Sequence, residues 1–234
     1  MELPDSLPAQ LYLLTYNPET ERMAGRPGSG YLGPALRAAA LVELLRRGRI
    51  VDESGKVAPA LDHVRRSGKP TGLPAAGPGG TAVLPDDPIL LRVLEQIEGS
   101  GRRRSWAHWI GRDTSGTTRC ARDYLESGRW IRVERDRVAG IFPRTTVTVR
   151  DTVTARTLIG DVRRALVGST PVDRVGARDR QLAALGVLAE MGVLFPRKER
   201  RAYRGRAREL AAALGPAADA LRKAISTQKA SSAG

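Results

Sequence analysis

The sequence predicts a mainly α protein, a single globular helical domain with one or two short β-hairpins. Two observations lead there. Hydrophobic residues make up 41% of the chain but aromatics only 4%, so the core is built from Leu, Val and Ala, which suit helices. Most apolar segments recur with a helical period and are bounded by capping and stop residues, whereas strand patterns are confined to short paired runs. A chain of 234 residues suits one domain with a sizeable core. That domain is expected over residues 1–226, with a polar tail at 227–234 that frays.

Taken in order, "LPAQLYLLTYN" reads as a short apolar helix or strand entering the core. Residues 17–33 form a polar, Gly-rich loop. A helix over 34–47 follows, with Pro34 at its start and Gly48 past its end. "RIVDESGKVAP" predicts a hairpin turning at Ser54-Gly55. Residues 67–86 are rich in Gly and Pro and read as an exposed loop. "DPILLRVLEQIEG" has Asp87 as cap and Pro88 at the first helical position. "SWAHWIGR" is a further short helix, and "SGTTRCARDYLESG" runs from a capping Ser115 to a stop at Gly128. A second hairpin is expected to turn at Arg135-Asp136-Arg137. Helices then follow at about 152–167, 177–195, 198–214 and 216–226.

The formal net charge is +14. Such a balance points to a polyanionic partner, whether nucleic acid, an anionic membrane or an acidic protein. The single cysteine, Cys120, has no partner within the chain and fits a reducing, cytoplasmic setting. No apolar run reaches the roughly 18 residues of a membrane span. "GSGYLG" at 28–33 matches G-x-G-x-x-G, but no strand immediately precedes it and no βαβ alternation follows, so a dinucleotide site is disfavoured. His63 and His108 join no cluster with metal-ligand spacing, so neither a metal nor another cofactor is expected. Asp86-Asp87 reads as helix capping. The sequence carries no recognisable catalytic constellation, and a non-enzymatic role is expected.

Basic clusters stand at Arg46-Arg47-Arg49, Arg102-Arg103-Arg104, Arg163-Arg164 and 197–208. The helix at 115–127 followed by a basic hairpin also has the outline of a winged-helix nucleic-acid reader, which is the alternative reading. Arg37 is the oddest charge. It sits in the first turn of an otherwise Ala- and Leu-rich helix, where the helix dipole disfavours a cation. It either meets a bound anion at the helix start or pairs internally. Glu21 in the preceding loop is a candidate partner; Glu43, six residues on, is not at a facing interval.

"ALRAAALVELLRRGRI" at 35–50, with Arg37, Val42-Glu43-Leu44 and Arg47-Gly48-Arg49-Ile50, resembles the Golgi phosphoprotein 3 family. So do "LYLLTYNPETERM", "DDPILLRVLEQI", "SWAHWIGRD", "YLESGRWIRVERDRVAGIFPRTTVTV" and "AALGVLAEMGVLF", in order along the chain. The resemblance is to a bacterial, actinobacterial-type member of that family. The resemblance implies a mainly helical domain and non-enzymatic, peripheral binding to the cytosolic face of a membrane through phosphatidylinositol 4-phosphate. Arg37 then matches a residue that contacts the lipid phosphate. The family's pocket tryptophan falls on Gly28 and two pocket arginines fall on Thr114 and Thr117, so those side chains are missing here. Tyr31 stands in for the tryptophan, and Arg112, Arg119 and Arg122 supply charge from shifted positions. The resemblance also implies oligomers assembled through the second hairpin. There Ile141 and Phe142 are adjacent and point to opposite faces, and Arg144 suits an anionic surface.

Overall fold

The structure, a computed structural model, describes residues 2–23, 31–67, 87–138, 142–196, 198–199 and 201–232. Among them ten α-helices surround one main core, and the strands form three small antiparallel sheets. The helices are α1 (Leu7–Leu13), α2 (Leu32–Arg46), α3 (Ala60–Ser67), α4 (Pro88–Glu98), α5 (Trp106–Gly111), α6 (Thr114–Ser127), α7 (Thr152–Val167), α8 (Ala177–Leu188), α9 (Arg204–Ala211) and α10 (Pro216–Ser232). The strands are β1 (Tyr16–Asn17), β2 (Arg22–Met23), β3 (Ile50–Glu53), β4 (Lys56–Pro59), β5 (Arg104–Ser105), β6 (Ile131–Val138) and β7 (Phe142–Val149).

The axis of the domain is α2. Every residue from Pro34 to Leu44 is buried, so the helix has no polar face, and α1, α4, α5, α6, α8 and α10 pack around it. Gly48 takes φ +66° just past its end, the left-handed stop that glycine favours. At its C-terminal half Glu43 is 1% exposed. Its Oε2 accepts a hydrogen bond from the backbone N–H of Leu7 at 2.5 Å, and its Oε1 accepts from Arg47 at 2.6 Å and Arg46 at 3.3 Å. This carboxylate ties the first turn of α1 to the end of α2.

Asp87 caps α4 as expected, accepting from the N–H groups of Ile89 at 2.6 Å and Leu90 at 3.2 Å. Burial pushes its carboxyl above the ordinary value; those hydrogen bonds oppose the rise and the charge of Glu43 adds to it. The folded chain therefore holds this proton more tightly than the unfolded chain. The group favours folding as pH falls into the carboxylate range and costs stability above it. Asp87→Asn keeps a capping oxygen and stays neutral. It should melt no lower than the wild type at about pH 7, with any advantage shrinking towards about pH 4. Asp87→Ala should lose about 1 kcal/mol of capping. Melts of the three proteins across this range check the sign.

Several boundaries differ from the sequence expectation. α2 begins at Leu32, so Pro34 lies inside the first turn and not at its start. α6 starts after Asp113 (φ +49°), not at a Ser115 cap. The expected helix over 177–195 stops at Leu188, because Glu190 turns left-handed (φ +55°) and the apolar run continues as turns. The helix expected over 198–214 is reduced to α9 and a 3-10 turn at Ala212–Leu214. α10 runs through residues 227–232, which are helical and not a separate tail. Arg135, Asp136 and Arg137 lie within β6, opposite Thr145, Arg144 and Pro143, so the hairpin turns later than their charge suggests. The helix α3, the small β1–β2 pair and the strand β5 had no sequence counterpart; α3 closes a satellite cluster of Val51, Ala58 and Ala60. Most of the 67–86 loop and Gly28 lie outside the described residues.

Candidate anion-binding cleft

Two long helices begin at the same place without a side-chain cap. α2 starts after Tyr31, which makes no capping bond. α6 starts after Asp113, whose carboxylate turns away to Arg92 and Gln96. The two starts approach so closely that a Cβ on Gly33 would lie 2.8 Å from Thr114 Cβ; only glycine fits there. The partial positive ends of both helices are thus placed side by side.

Beneath them lies Arg37, fully buried. Its Nε donates to the carbonyl of Trp109 at 2.8 Å, and its Nη1 to Gln96 Oε1 at 2.8 Å and Thr117 Oγ1 at 3.4 Å. Its Nη2 is buried with no hydrogen-bond partner. Gln96 passes the contact on, donating to Asp113 Oδ2 at 2.8 Å, which also receives Arg92 Nε at 2.9 Å. Burial lowers the Arg37 pKa to about 10; Asp113 counters this, while Arg112 and Arg92 add to it. The group stays charged at neutral pH. Burial also pushes the Asp113 carboxyl up, but the bonds from Gln96 and Arg92 and the charges of Arg92 and Arg37 hold it below its ordinary value. Arg37 and Arg92 are therefore set against one carboxylate, and Arg112 adds a third positive charge acting on Arg37.

Above this network is a cleft of about 340 Å³ lined by Pro34, Ala107, Gly111, Thr114, Lys223, Ala224, Thr227, Gln228 and Ser231. α10 forms one wall through Lys223, Thr227 and Ser231, spaced four residues apart on one face. The end of that wall is anchored by Lys229, whose Nζ meets Glu190 Oε1 at 2.5 Å and sits 5.4 Å from the Tyr31 ring centroid. The lining contains a lysine and no carboxylate.

The residues expected from the sequence are split by this geometry. Arg37 pairs internally, with neither of the partners considered, and does not line the cleft, which α2 lines through Pro34 one turn earlier. Glu21 pairs with Arg156, and Glu43 with the α1 start. Tyr31 is half-buried beneath Lys229. Arg112 is exposed with its guanidinium 5.7 Å from the Trp109 ring centroid. Arg119 is exposed on α6, and Arg122 turns to Asp123 and acts on Tyr12 of α1; neither lines the cleft. Of the two positions on which the family's pocket arginines fall, Thr114 lines the cleft and Thr117 accepts from Arg37. Ile141 lies outside the described residues, and Phe142 and Arg144 are described only as backbone of β7. Arg92, Gln96 and the α10 wall were missed, although the polar i, i+4, i+8 stripe of α10 is a readable signal.

Among the described residues every strand pair is antiparallel, so the glycine pattern at 28–33 opens no βαβ unit there. No helix among them is long and apolar enough to cross a membrane, and no group of three or more His, Cys, Asp or Glu is placed to hold a metal.

The fold and cleft define a mainly helical protein with a small cationic pocket at paired helix starts. Residues 7–228 match the family Golgi phosphoprotein 3 (GPP34), and the chain belongs to that family. No curated protein matches the chain. The family gives no support to a winged-helix reader. The helix such a reader would use, α6, is instead packed among α1, α2, α4 and β6.

Proposed function

We propose that the protein is a non-enzymatic peripheral membrane protein that takes an anionic phospholipid headgroup into this cleft. The observation carrying the reading is the meeting of two uncapped helix starts at a pocket lined by Lys223 and free of carboxylates. The dipoles of α2 and α6 favour an anion there. Arg37 acts from beneath. It contributes its charge and holds the Trp109 carbonyl and Thr117 in place, and it touches no ligand while fully buried. Family membership supports lipid binding in coarse terms, and resemblance to phosphatidylinositol 4-phosphate binders supplies the closest chemical analogy. The net charge of +14 adds long-range attraction to an acidic surface.

Lys223→Glu tests this. Each basic residue near an anionic surface contributes about 1 kcal/mol, so a charge reversal should weaken co-sedimentation with anionic vesicles by roughly thirtyfold. Lys198→Glu, a reversal of an exposed lysine outside the cleft lining, should do much less. Equal losses from both would reduce the binding to unspecific attraction and overturn the cleft.

A further inference from the structure

We propose that α5 carries a second contact beside the cleft: Arg104, His108 and Arg112 meet the phosphates of an anionic bilayer, and His108 takes up a proton as they do. The inference rests on the reading that this face meets a membrane. It adds a surface outside the cleft and a dependence on pH.

The placement comes from the short helix itself. Ala107 and Gly111 line the cleft. His108 and Arg112 each follow one of them in sequence, so they stand one step further round α5, on the neighbouring row. Both are exposed, and so is Arg104, which lies just before the cap Ser105. The buried Trp109 ring supports two of the three: His108 stands edge-on to it with centroids 5.3 Å apart, and the Arg112 guanidinium lies 5.7 Å from its centroid. Nearby arginines are already paired, Arg103 with Glu53 and Arg92 with Asp113. Among the described residues Arg104 and Arg112 meet no carboxylate, and the His108 ring makes no hydrogen bond or ion pair.

α5 packs against α2, α10 and β5. The charges acting on His108 are Arg104 of β5, Arg112 after α5 and Arg37 of α2, all positive. α10 adds Lys223, which lines the cleft with Ala107. The carboxylates around α5 face other groups. Asp52 accepts from Trp106 Nε1 at 2.6 Å, Asp113 accepts from Arg92 and Gln96, and Asp219 pairs with Arg222. Partial burial holds the His108 ring below its ordinary value, and the charges of Arg104, Arg112 and Arg37 lower it further. The ring is therefore neutral at about pH 7 in the free protein. A bilayer reverses the field. Its phosphate oxygens offset the arginines and accept from a charged ring, so the bound form holds the proton more tightly than the free form. Binding therefore strengthens as pH falls through the histidine range. The added affinity is full below the free-state value and is lost above the bound-state value.

The test is co-sedimentation with phosphatidylcholine vesicles carrying phosphatidylglycerol, whose diester does not titrate here, at about pH 5.5 and about pH 7.5, either side of the ordinary histidine value. The wild type should bind about fivefold more tightly at the lower pH, the worth of one added charge near an anionic surface. In His108→Gln the ratio of the two affinities should fall to about one. His63→Gln should keep the wild-type ratio, since that ring already meets Glu53 at 2.7 Å. His108→Lys carries a fixed charge, so at the higher pH it should bind as tightly as the wild type does at the lower. Arg104→Gln combined with Arg112→Gln should weaken binding at both. A wild type without the ratio, or a His108→Gln protein that keeps it, overturns this contact. Such a result leaves the cleft standing where Lys223→Glu still weakens binding. Failure to sediment at either pH overturns both. Retention of duplex DNA with the same pH ratio, and no sedimentation with vesicles, overturns the bilayer as the partner.

Discussion

Arg37→Ala is expected to lower the melting temperature by about 10 °C, from a loss of about 3–4 kcal/mol. The side chain is fully buried and donates to Trp109 O, Gln96 and Thr117. Truncation leaves the Trp109 carbonyl and the Gln96 oxygen without these donors and opens a cavity beside α2. It also removes a charge that steadies Asp113 through Gln96. Arg37→Lys keeps the charge but reaches fewer of the acceptors, so it should recover about half of the loss. Thermal melts combined with vesicle binding below the transition separate support from contact. In folded Arg37→Lys, vesicle binding should fall far less than in Lys223→Glu. If Arg37→Lys abolishes binding while its melting temperature is unchanged, Arg37 touches the ligand directly and the buried arrangement opens on binding.

Glu43→Ala should cost a comparable amount, about 3 kcal/mol. The carboxylate accepts from the Leu7 N–H and from two arginines at the end of α2. Its loss leaves a buried N–H at the first turn of α1 unpaired and frees the junction of α1 with the central helix. Glu43→Gln keeps an acceptor for Leu7 but loses the charge-assisted bonds, and should cost about half as much. Denaturant midpoints check the order. Local hydrogen exchange in α1 should rise in Glu43→Ala even where the rest of the domain stays protected. A Glu43→Ala protein as stable as the wild type would remove this tie from the account of the fold.

The main elements were legible where local chemistry is sufficient. Asp87-Pro88 marks the start of α4, and the mostly apolar stretch before Gly48 marks a buried α2. What failed was decided elsewhere. The apolar run after Leu188 continues the helical pattern, yet Glu190 takes a left-handed turn and its side chain pairs with Lys229 of α10. The charges at 135–137 read as a turn because turns are polar, but the backbone there continues as β6, paired with β7. Arg37 was conspicuous in the sequence because a cation opposes the helix start. Its partners at 96, 109 and 117 lie on three other segments, and no local spacing encodes them. The stripe on α10 was readable as spacing but not as a cleft wall: a polar stripe looks like a solvated face until another helix start is placed opposite.

Pro34 and Ser231 line one cleft, so its two walls come from segments far apart in the sequence. During synthesis α2 emerges early and α10 last among the described elements. A nascent chain lacking α10 has no Lys223 and no second wall, and so no cleft. The cleft thus exists only once α10 has docked against α2 and α5. Such distant closure slows folding, because the loop between the two walls must be closed before their contacts form.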